Sequence, residues 1–255
     1  MKIRVIGCSG SEFPGHNTPA FLLNSEILLD AGSFTSVLNE REQMKIKHVF
    51  ITHAHFDHIR GIPFFTDNII VGKKKRNITI YSIQPVIKII KRHLFNSAVW
   101  PDFTLIPDSD NAILNFMKMK TGKSLEINSY KITPYKVKHA VPAVGYLVED
   151  RRGKCLFYTG DTGPTSDTWR KLGTRKIHCL IIDVSFPDSM QKIALTTGHL
   201  TPSLLNKELF KFRNKPEKIC ITHIKPQYYS VIKRELETLR IKNLKILHEG
   251  ETLIL

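Results

Sequence analysis

The chain has 255 residues, enough for one α/β domain with a sizeable core, and its 42% apolar and 24% charged residues are ordinary for a folded soluble protein. No apolar run approaches the roughly 20 residues of a membrane span, and a strand pattern starts at Met1 with no secretory leader, so a cytoplasmic location with no membrane partner is expected. The net charge of +15 fits a polyanionic partner such as RNA or a lysine-rich solvated surface, and the scatter of the lysines favours the surface.

In chain order, residues 2–6 predict a strand, followed by a Gly/Ser-rich loop at 7–11. That loop lacks the G-x-G-x-x-G spacing and opens no apolar helix, which argues against a dinucleotide site. Apolar runs at 20–23 and 27–29 flank Asn24, Ser25 and Glu26 and predict a hairpin. Asp30 ends its second strand and is placed to cap a helix expected over 34–43. Residues 49–51 predict a buried strand that runs into a His- and Asp-rich stretch at 53–58. A helix with Pro63 in its first turns is expected from 59 to 66, a strand over 78–82, and a helix over 85–94 on the spacing of Val86, Ile87, Ile89, Ile90 and Leu94. Between them, Lys73, Lys74, Lys75 and Arg76 read as a hairpin or loop tip. Residues 93–103 are aromatic and aperiodic and read as an insertion beside the site.

Strands follow over 112–119, 124–127 and 130–137, the last leading to His139. A hairpin of 145–149 and 155–158 leads to Asp161, and 180–184 is a buried strand. Thr201 and Pro202 are the expected N-cap and first residue of a further helix. The strand at 219–222 delivers His223, a helix covers 227–239, and strands at 244–247 and 252–255 close the chain. With no repeat, linker or low-complexity segment, residues 1–255 are expected to form a single domain of two sheets covered by helices. Cys8, Cys155, Cys179 and Cys220 form no C-x-x-C pair and read as small core residues.

His53, His55, Asp57 and His58 put four potential metal ligands within six residues. An extended backbone sends His53 and His55 to the same side. Asp57 and His58 are adjacent, diverge, and can serve a second centre. Imidazole suits Zn, Fe and Mn, and a carboxylate adds a hard anionic oxygen. His139, Asp161 and His223 then appear in order, each just after an apolar strand run. His199 lies in a Gly-His loop before a helix start, which favours an anion; phosphate binding and proton donation are expected of it, with helix capping as the alternative. Phe95, Trp100 and Phe103 can stack a nucleobase or pack the insertion.

The H-x-H-x-D-H string and its downstream His, Asp and His resemble the metallo-β-lactamase superfamily. The resemblance implies an α/β (α+β) fold, a four-layer αββα sandwich with metals at one edge. It implies that His53, His55 and His139 hold one divalent ion, that Asp57, His58 and His223 hold another, and that Asp161 bridges them. Zn is expected first, and Mn and Fe also accept these ligands. A bridging carboxylate offsets the repulsion of two dications about 3.5–4 Å apart. Asp30 matches the acid that supports the metal loop from behind in the superfamily.

The stretches 1–10, 52–62, 92–103, 139–146, 158–164, 198–202 and 222–226 further resemble bacterial class II cyclic-nucleotide phosphodiesterases. The N-x-x-x-W-P-D-F segment and the G-H-L-T-P and T-H-I-K-P strings are the more specific signs. That branch implies hydrolysis of 3′,5′-cyclic AMP to 5′-AMP, with Asp57 and His199 catalytic. His199, Asn96, Trp100 and Phe103 are expected to contact the cyclic nucleotide, and the resemblance suggests a homodimer. One alternative is a tRNA 3′-processing endonuclease of the same superfamily, favoured by the charge and by Gly198-His199. Against it, there is no Gly/Pro-rich insertion for a tRNA-clamping arm, and Asp183-Val184-Ser185-Phe186 stands where an H-E-A-T-like stretch would be expected. Another alternative is a non-catalytic metal-bearing binding or sensor protein, against which the complete ligand set argues.

Overall fold

The computed structural model describes residues 1–72 and 76–255, so most of the basic run at 73–76 lies outside the described residues. The strands are β1 (Lys2–Gly7), β2 (Ala20–Leu23), β3 (Ile27–Leu29), β4 (His48–Phe50), β5 (Ile78–Ile83), β6 (Leu114–Met119), β7 (Leu125–Ile127), β8 (Tyr130–Lys136), β9 (Val144–Asp150), β10 (Cys155–Tyr158), β11 (Cys179–Asp183), β12 (Ile219–Thr222), β13 (Leu244–Ile246) and β14 (Thr252–Ile254). They form two seven-stranded sheets, ordered β14-β1-β2-β3-β4-β5-β6 and β7-β8-β9-β10-β11-β12-β13. Each sheet repeats one plan. Its first four strands in that order pair antiparallel and its last four pair parallel.

Period-two alternation splits each strand between two cores. In β1 and β2, Ile3, Val5, Phe21 and Leu23 face the space between the sheets. Ile6, Ala20 and Leu22 face helices on the outer side. In β10 and β11, Leu156, Tyr158, Cys179 and Ile181 point inward, while Phe157, Leu180 and Ile182 meet the outer helices. Sheets covered on both faces need apolar side chains at nearly every position, which explains why these strands read as apolar runs. The four cysteines are free and buried, as expected.

The first sheet is covered by α1 (Phe34–Val37), α2 (Glu40–Gln43), α3 (Phe56–Ile59), α4 (Gly61–Ile70) and α5 (Gln84–His93). The second is flanked by α6 (Ser166–Leu172), α7 (Gln191–Thr197), α8 (Pro202–Leu209) and α9 (Tyr229–Thr238). The layers are therefore helix, sheet, sheet, helix. The single helix expected over 34–43 is broken. Asn39 starts a new one through a capping box in which its side chain accepts from Glu42 N and Glu42 accepts from Asn39 N. The helix expected from 59 begins earlier and in two parts, because Asp57 and His58 lie in a separate turn, α3. Helices α6 and α7 have no sequence expectation. Each is only seven residues long, and α7 buries only Ala194, too little to imprint a helical period. Among the described residues, no helix is long and apolar enough to cross a membrane.

Two tyrosines of the second sheet carry polar contacts across the inner core. Tyr146 Oη donates to Ile51 O at 2.8 Å, and Tyr158 Oη donates to Asp30 Oδ2 at 2.6 Å. The Ile51 carbonyl keeps a second donor, Ser82 Oγ at 2.6 Å. Tyr146→Phe should therefore orphan no carbonyl and cost only about 1 kcal/mol, the net worth of one neutral hydrogen bond. Urea unfolding of both proteins checks this; a loss above about 3 kcal/mol would contradict it.

Candidate metal centre

The ligand candidates converge because each leaves a strand at the same edge. His53 and His55 follow β4, and Asp57 and His58 sit in α3. His139 follows β8, Asp161 follows β10 and His223 follows β12. The backbone is forced at this edge. Asp30 and His223 hold left-handed φ values of 55° and 66°, which cost non-glycine residues about 1–3 kcal/mol each and mark functional sites when retained. Gly198 at φ 76° lies so close to His139 that a Cβ there would come within 2.8 Å of its Cα.

Three overlapping groups of side chains form around Asp161, one of them Asp161 with His199 and His223. His53, His55, His139 and Asp161 have ligand atoms within 4.8 Å of one another, and so do Asp57, His58 and His223. Asp161 Oδ2 lies 3.5 Å from His53 Nε2 and 3.9 Å from His139 Nε2. Its other oxygen, Oδ1, lies 3.3 Å from both His58 Nε2 and His223 Nε2. Asp57 Oδ2 is 3.2 Å from His223 Nε2 and 3.7 Å from His58 Nε2. His55 Nδ1 and His139 Nε2 face each other at 3.1 Å. His53 Nε2, His58 Nε2 and Asp161 Oδ1 are buried with no hydrogen-bond partner. Orphaned buried polar atoms are expensive, and a cation in each group would satisfy them, His53 Nε2 in one and His58 Nε2 in the other. The donor set of imidazoles and carboxylates therefore fits two divalent ions.

Charge states of most of the set agree with that fit; His58 is the exception, since burial would lower it but Asp161, Asp30 and Asp57 outweigh burial and hold it well above the usual imidazole range while no metal is bound. Burial, helped by the charge of His58, holds His53 well below the usual imidazole range, and burial lowers His55 and His139. Neutral imidazole is the form that binds metal. Burial would raise the Asp161 carboxyl, but His223 and His58 outweigh it and hold it well below the usual range. Asp57 is likewise held down by His58 and His223 against its burial.

Behind the ligands stand two buried carboxylates with the same plan. Asp30 Oδ2 accepts from His58 Nδ1 at 2.8 Å, and it reaches His53 through Thr52, whose Oγ1 lies 2.9 Å from Asp30 Oδ2 and 3.0 Å from His53 Nδ1. Asp183 Oδ2 lies 2.8 Å from His199 Nδ1, and Asp183 reaches His223 through Ser185, whose Oγ lies 2.6 Å from Asp183 Oδ1 and 2.8 Å from His223 Nδ1. Each arrangement fixes which ring nitrogen faces the centre. Asp30 does not cap a helix; the N-cap of α1 is Ser33. His199 caps none either, since Thr201 accepts from Leu204 N at the head of α8. His199 stacks on His223 with ring centroids 5.3 Å apart. Burial alone would lower it, but Asp183 outweighs burial and raises it to about 9.

Sequence reasoning did not assign Asp183, Ser185, Thr52 or Tyr158 a role. Asp183 carries a usable signal, an acid at the end of an apolar strand run, as Asp30 is. Tyr158 carries none, because its partner Asp30 is 128 residues away.

The expected nucleotide contacts need correction. Phe103 is 3% exposed and Phe95 2%, both inside the core under the first sheet's helices, so neither offers a ring face to a base. Trp100 packs edge-on against Phe64 of α4, with centroids 5.6 Å apart. Asn96 is exposed, but its amide is committed to its own loop, accepting from Ala98 N and Val99 N and donating to Arg92 O. The insertion packs itself because aromatic side chains gain more from burial than from standing open to water.

The chain is 31% identical over 211 residues to the probable 3′,5′-cyclic-nucleotide phosphodiesterase of Yersinia pestis, covering 73% of this chain and 59% of that protein. It is 24% identical over 291 residues to the ribonuclease Z of Archaeoglobus fulgidus, covering 89% of this chain and 88% of that protein. The fold is shared with unliganded yeast PDE1, at a TM-score of 0.84 and 19% identity over 100% of this chain and 99% of that one. It is also shared with the metallo-β-lactamase fold protein YhfI of Bacillus subtilis, at 0.80 and 18% over 99% of each. Residues 26–224, from the hairpin turn before β3 to just past His223, match the Beta-lactamase superfamily domain, and the chain belongs to that superfamily.

Proposed function

We propose that this chain is a metal-dependent phosphodiesterase that hydrolyses 3′,5′-cyclic nucleotides, cyclic AMP to 5′-AMP first among them. The observation that carries the reading is the buried Asp161 carboxylate, with one oxygen turned to each group of ligands. The kinship with cyclic-nucleotide phosphodiesterases supports the substrate class. His53, His55, His139 and Asp161 would hold one divalent ion, and Asp57, His58, His223 and Asp161 the other, with Zn first and Mn or Fe also suited. When bound, two such ions supply Lewis acidity at the phosphoryl oxygens and a lowered pKa for water.

The chain's own groups do the rest. Asp57, whose side chain is 31% exposed, is the acid of the set open to a water and orients it for attack on phosphorus. As the new P–O bond forms, the bond to the ribose 3′ oxygen breaks. His199, with Nδ1 held by Asp183, presents Nε2 to the anion and gives the leaving oxygen its proton. Asp30 and Thr52 keep His58 and His53 in register. A cytoplasmic homodimer belongs to the same reading.

A second reading is kept because ribonuclease Z relatives span 89% and 95% of the chain and the net charge is +15. A small cyclic phosphodiester releases few counterions, whereas an RNA contacting many phosphates loses affinity steeply with salt. Assayed side by side, the protein should turn over cyclic AMP with weak salt dependence and cleave precursor tRNA little. The reverse preference would move the assignment to the RNA-processing branch.

Three further outcomes follow. Asp161→Ala should abolish turnover and lower metal content by elemental analysis while circular dichroism stays native; near-native activity would rule out the bridging role. His199→Ala should keep both metals and lose about 10²–10⁴-fold in kcat on cyclic AMP, but far less on a nitrophenyl phosphodiester, whose leaving group needs no proton. Equal losses on both would leave His199 with phosphate positioning alone. In chelator-treated protein, His199 is raised from 6.5 to about 9 by Asp183, so the pair stabilises the fold fully below pH 6.5 and loses that contribution as pH rises to about 9. The stability gap between wild type and His199→Gln should therefore shrink across pH 6.5–9 in urea unfolding. A gap that widens with pH would contradict a raised pKa.

A further inference from the structure

A cleft opens at the edge of the second sheet opposite the metal centre. Ile219, the first residue of β12, belongs to its lining, and His223 follows the last residue of that strand. At about 3.3 Å per residue the two stand roughly 13 Å apart along the strand. The cleft has a volume of about 380 Å³, within the range of about 300–1,000 Å³ that holds small ligands. Its walls come from the end of α8 and the chain that leads on to β12, and from the chain between α9 and β13. Leu209, Pro216, Ile219 and Ile241 give it an apolar lining, and Lys215, Arg240 and Lys242 are its charged residues. No carboxylate belongs to that lining. Other clefts of 270–460 Å³ each include at least one, Glu249, Glu149, Glu237 or Asp167.

A single unpaired lysine is ordinary on a chain of net charge +15. Here three cations share one cleft. Elsewhere Lys176, Lys211 and Lys245 pair with Glu217, Glu208 and Glu251. Among the described residues, Lys215, Arg240 and Lys242 make no ion pair. Helix ends account for part of their charge. Both α8 and α9 end at the cleft, and a helix C-terminus carries about −0.5 of an elementary charge. Two such ends offset about one of the three positive charges and leave about two. That excess matches a phosphomonoester, which carries about −1.5 to −2 at pH 7. The apolar lining fits a ligand that also has a hydrophobic face. Phe210 adds a ring to the lining: it is 74% exposed, and Lys215 Nζ stands 5.8 Å from its centroid. A cation and an open π-face thus lie together, and a phosphate joined to an aromatic base uses both.

We propose that this cleft is an anion site apart from the metal centre that takes a mononucleotide, with Lys215, Arg240 and Lys242 meeting the phosphate and Phe210 the base. The site does not rest on the phosphodiesterase reading, since none of its residues belongs to the centre. Its contacts to phosphate are charge-assisted and need no metal. Its contact to the base is stacking, which every base can supply. Neither half of the ligand should therefore suffice alone: adenosine lacks the charge, and inorganic phosphate lacks the ring.

The test uses metal-loaded protein carrying Phe210→Trp, whose indole reports on the cleft, with circular dichroism as the check on folding. 5′-AMP should change the indole fluorescence saturably, and adenosine and inorganic phosphate should bind about tenfold or more weaker. Adding Lys215→Ala and Arg240→Ala should raise the Kd for 5′-AMP about tenfold or more, the loss expected when one or two charge-assisted hydrogen bonds go. The same two substitutions in the native chain should leave metal content and turnover of a nitrophenyl phosphodiester unchanged. No response to 5′-AMP, a Kd that the two substitutions do not move, or equal affinity for inorganic phosphate would each overturn the proposal. Turnover that falls in step with 5′-AMP binding would place the nucleotide at the metal centre and overturn it as well. The fluorescence result holds whether or not the protein hydrolyses cyclic nucleotides, so the two readings fail separately.

Discussion

The centre depends on two buried carboxylates that stand behind the ligand candidates. Asp30 leaves β3 of the first sheet and Asp183 ends β11 of the second. Each is fully buried, and each orients one imidazole directly and a second through a hydroxyl, Thr52 or Ser185. A buried carboxylate costs several kcal/mol unless its oxygens are filled with hydrogen bonds. Asp30 meets that demand with Thr52 N, Thr52 Oγ1, His58 Nδ1 and Tyr158 Oη. Asp183 meets it with Thr162 N, Ser185 Oγ and His199 Nδ1. The same hydrogen bonds that make the acids tolerable fix the ring orientations, so stability and preorganisation have one source.

The two acids come from opposite sheets and from strands that are not counterparts: Asp30 follows β3, fourth in its sheet, and Asp183 ends β11, fifth in the other. Asp161, delivered after β10, then meets ligands supported by both. Its two oxygens divide between His53 and His139 on one side and His58 and His223 on the other, so neither half of the centre is built by one sheet alone. Tyr158 ties the halves once more, since it belongs to the second sheet and donates to the acid of the first. Such cross-sheet contacts explain how a site assembled from loops holds its geometry: the loops are short and their ends are set by packed strands.

Much of this was legible in the chain. The strands at 20–23, 27–29, 155–158 and 219–222 are found at those bounds, because sheets covered on both faces demand apolar runs that composition cannot hide. The ligand candidates were legible because His53, His55, Asp57 and His58 are dense in sequence and the others follow strand ends. The sequence left open whether Asp30 caps a helix, whether His199 caps one, and whether the aromatic residues of the insertion stack or pack. Each choice depends on which distant atoms come near: Tyr158 for Asp30, Asp183 for His199, the helix core for Phe95 and Phe103. Local propensity reports what a residue can do within a few positions of itself. The burial and long-range hydrogen bonds that decide among those options exist only once both sheets are packed, and so the tertiary structure alone settled them.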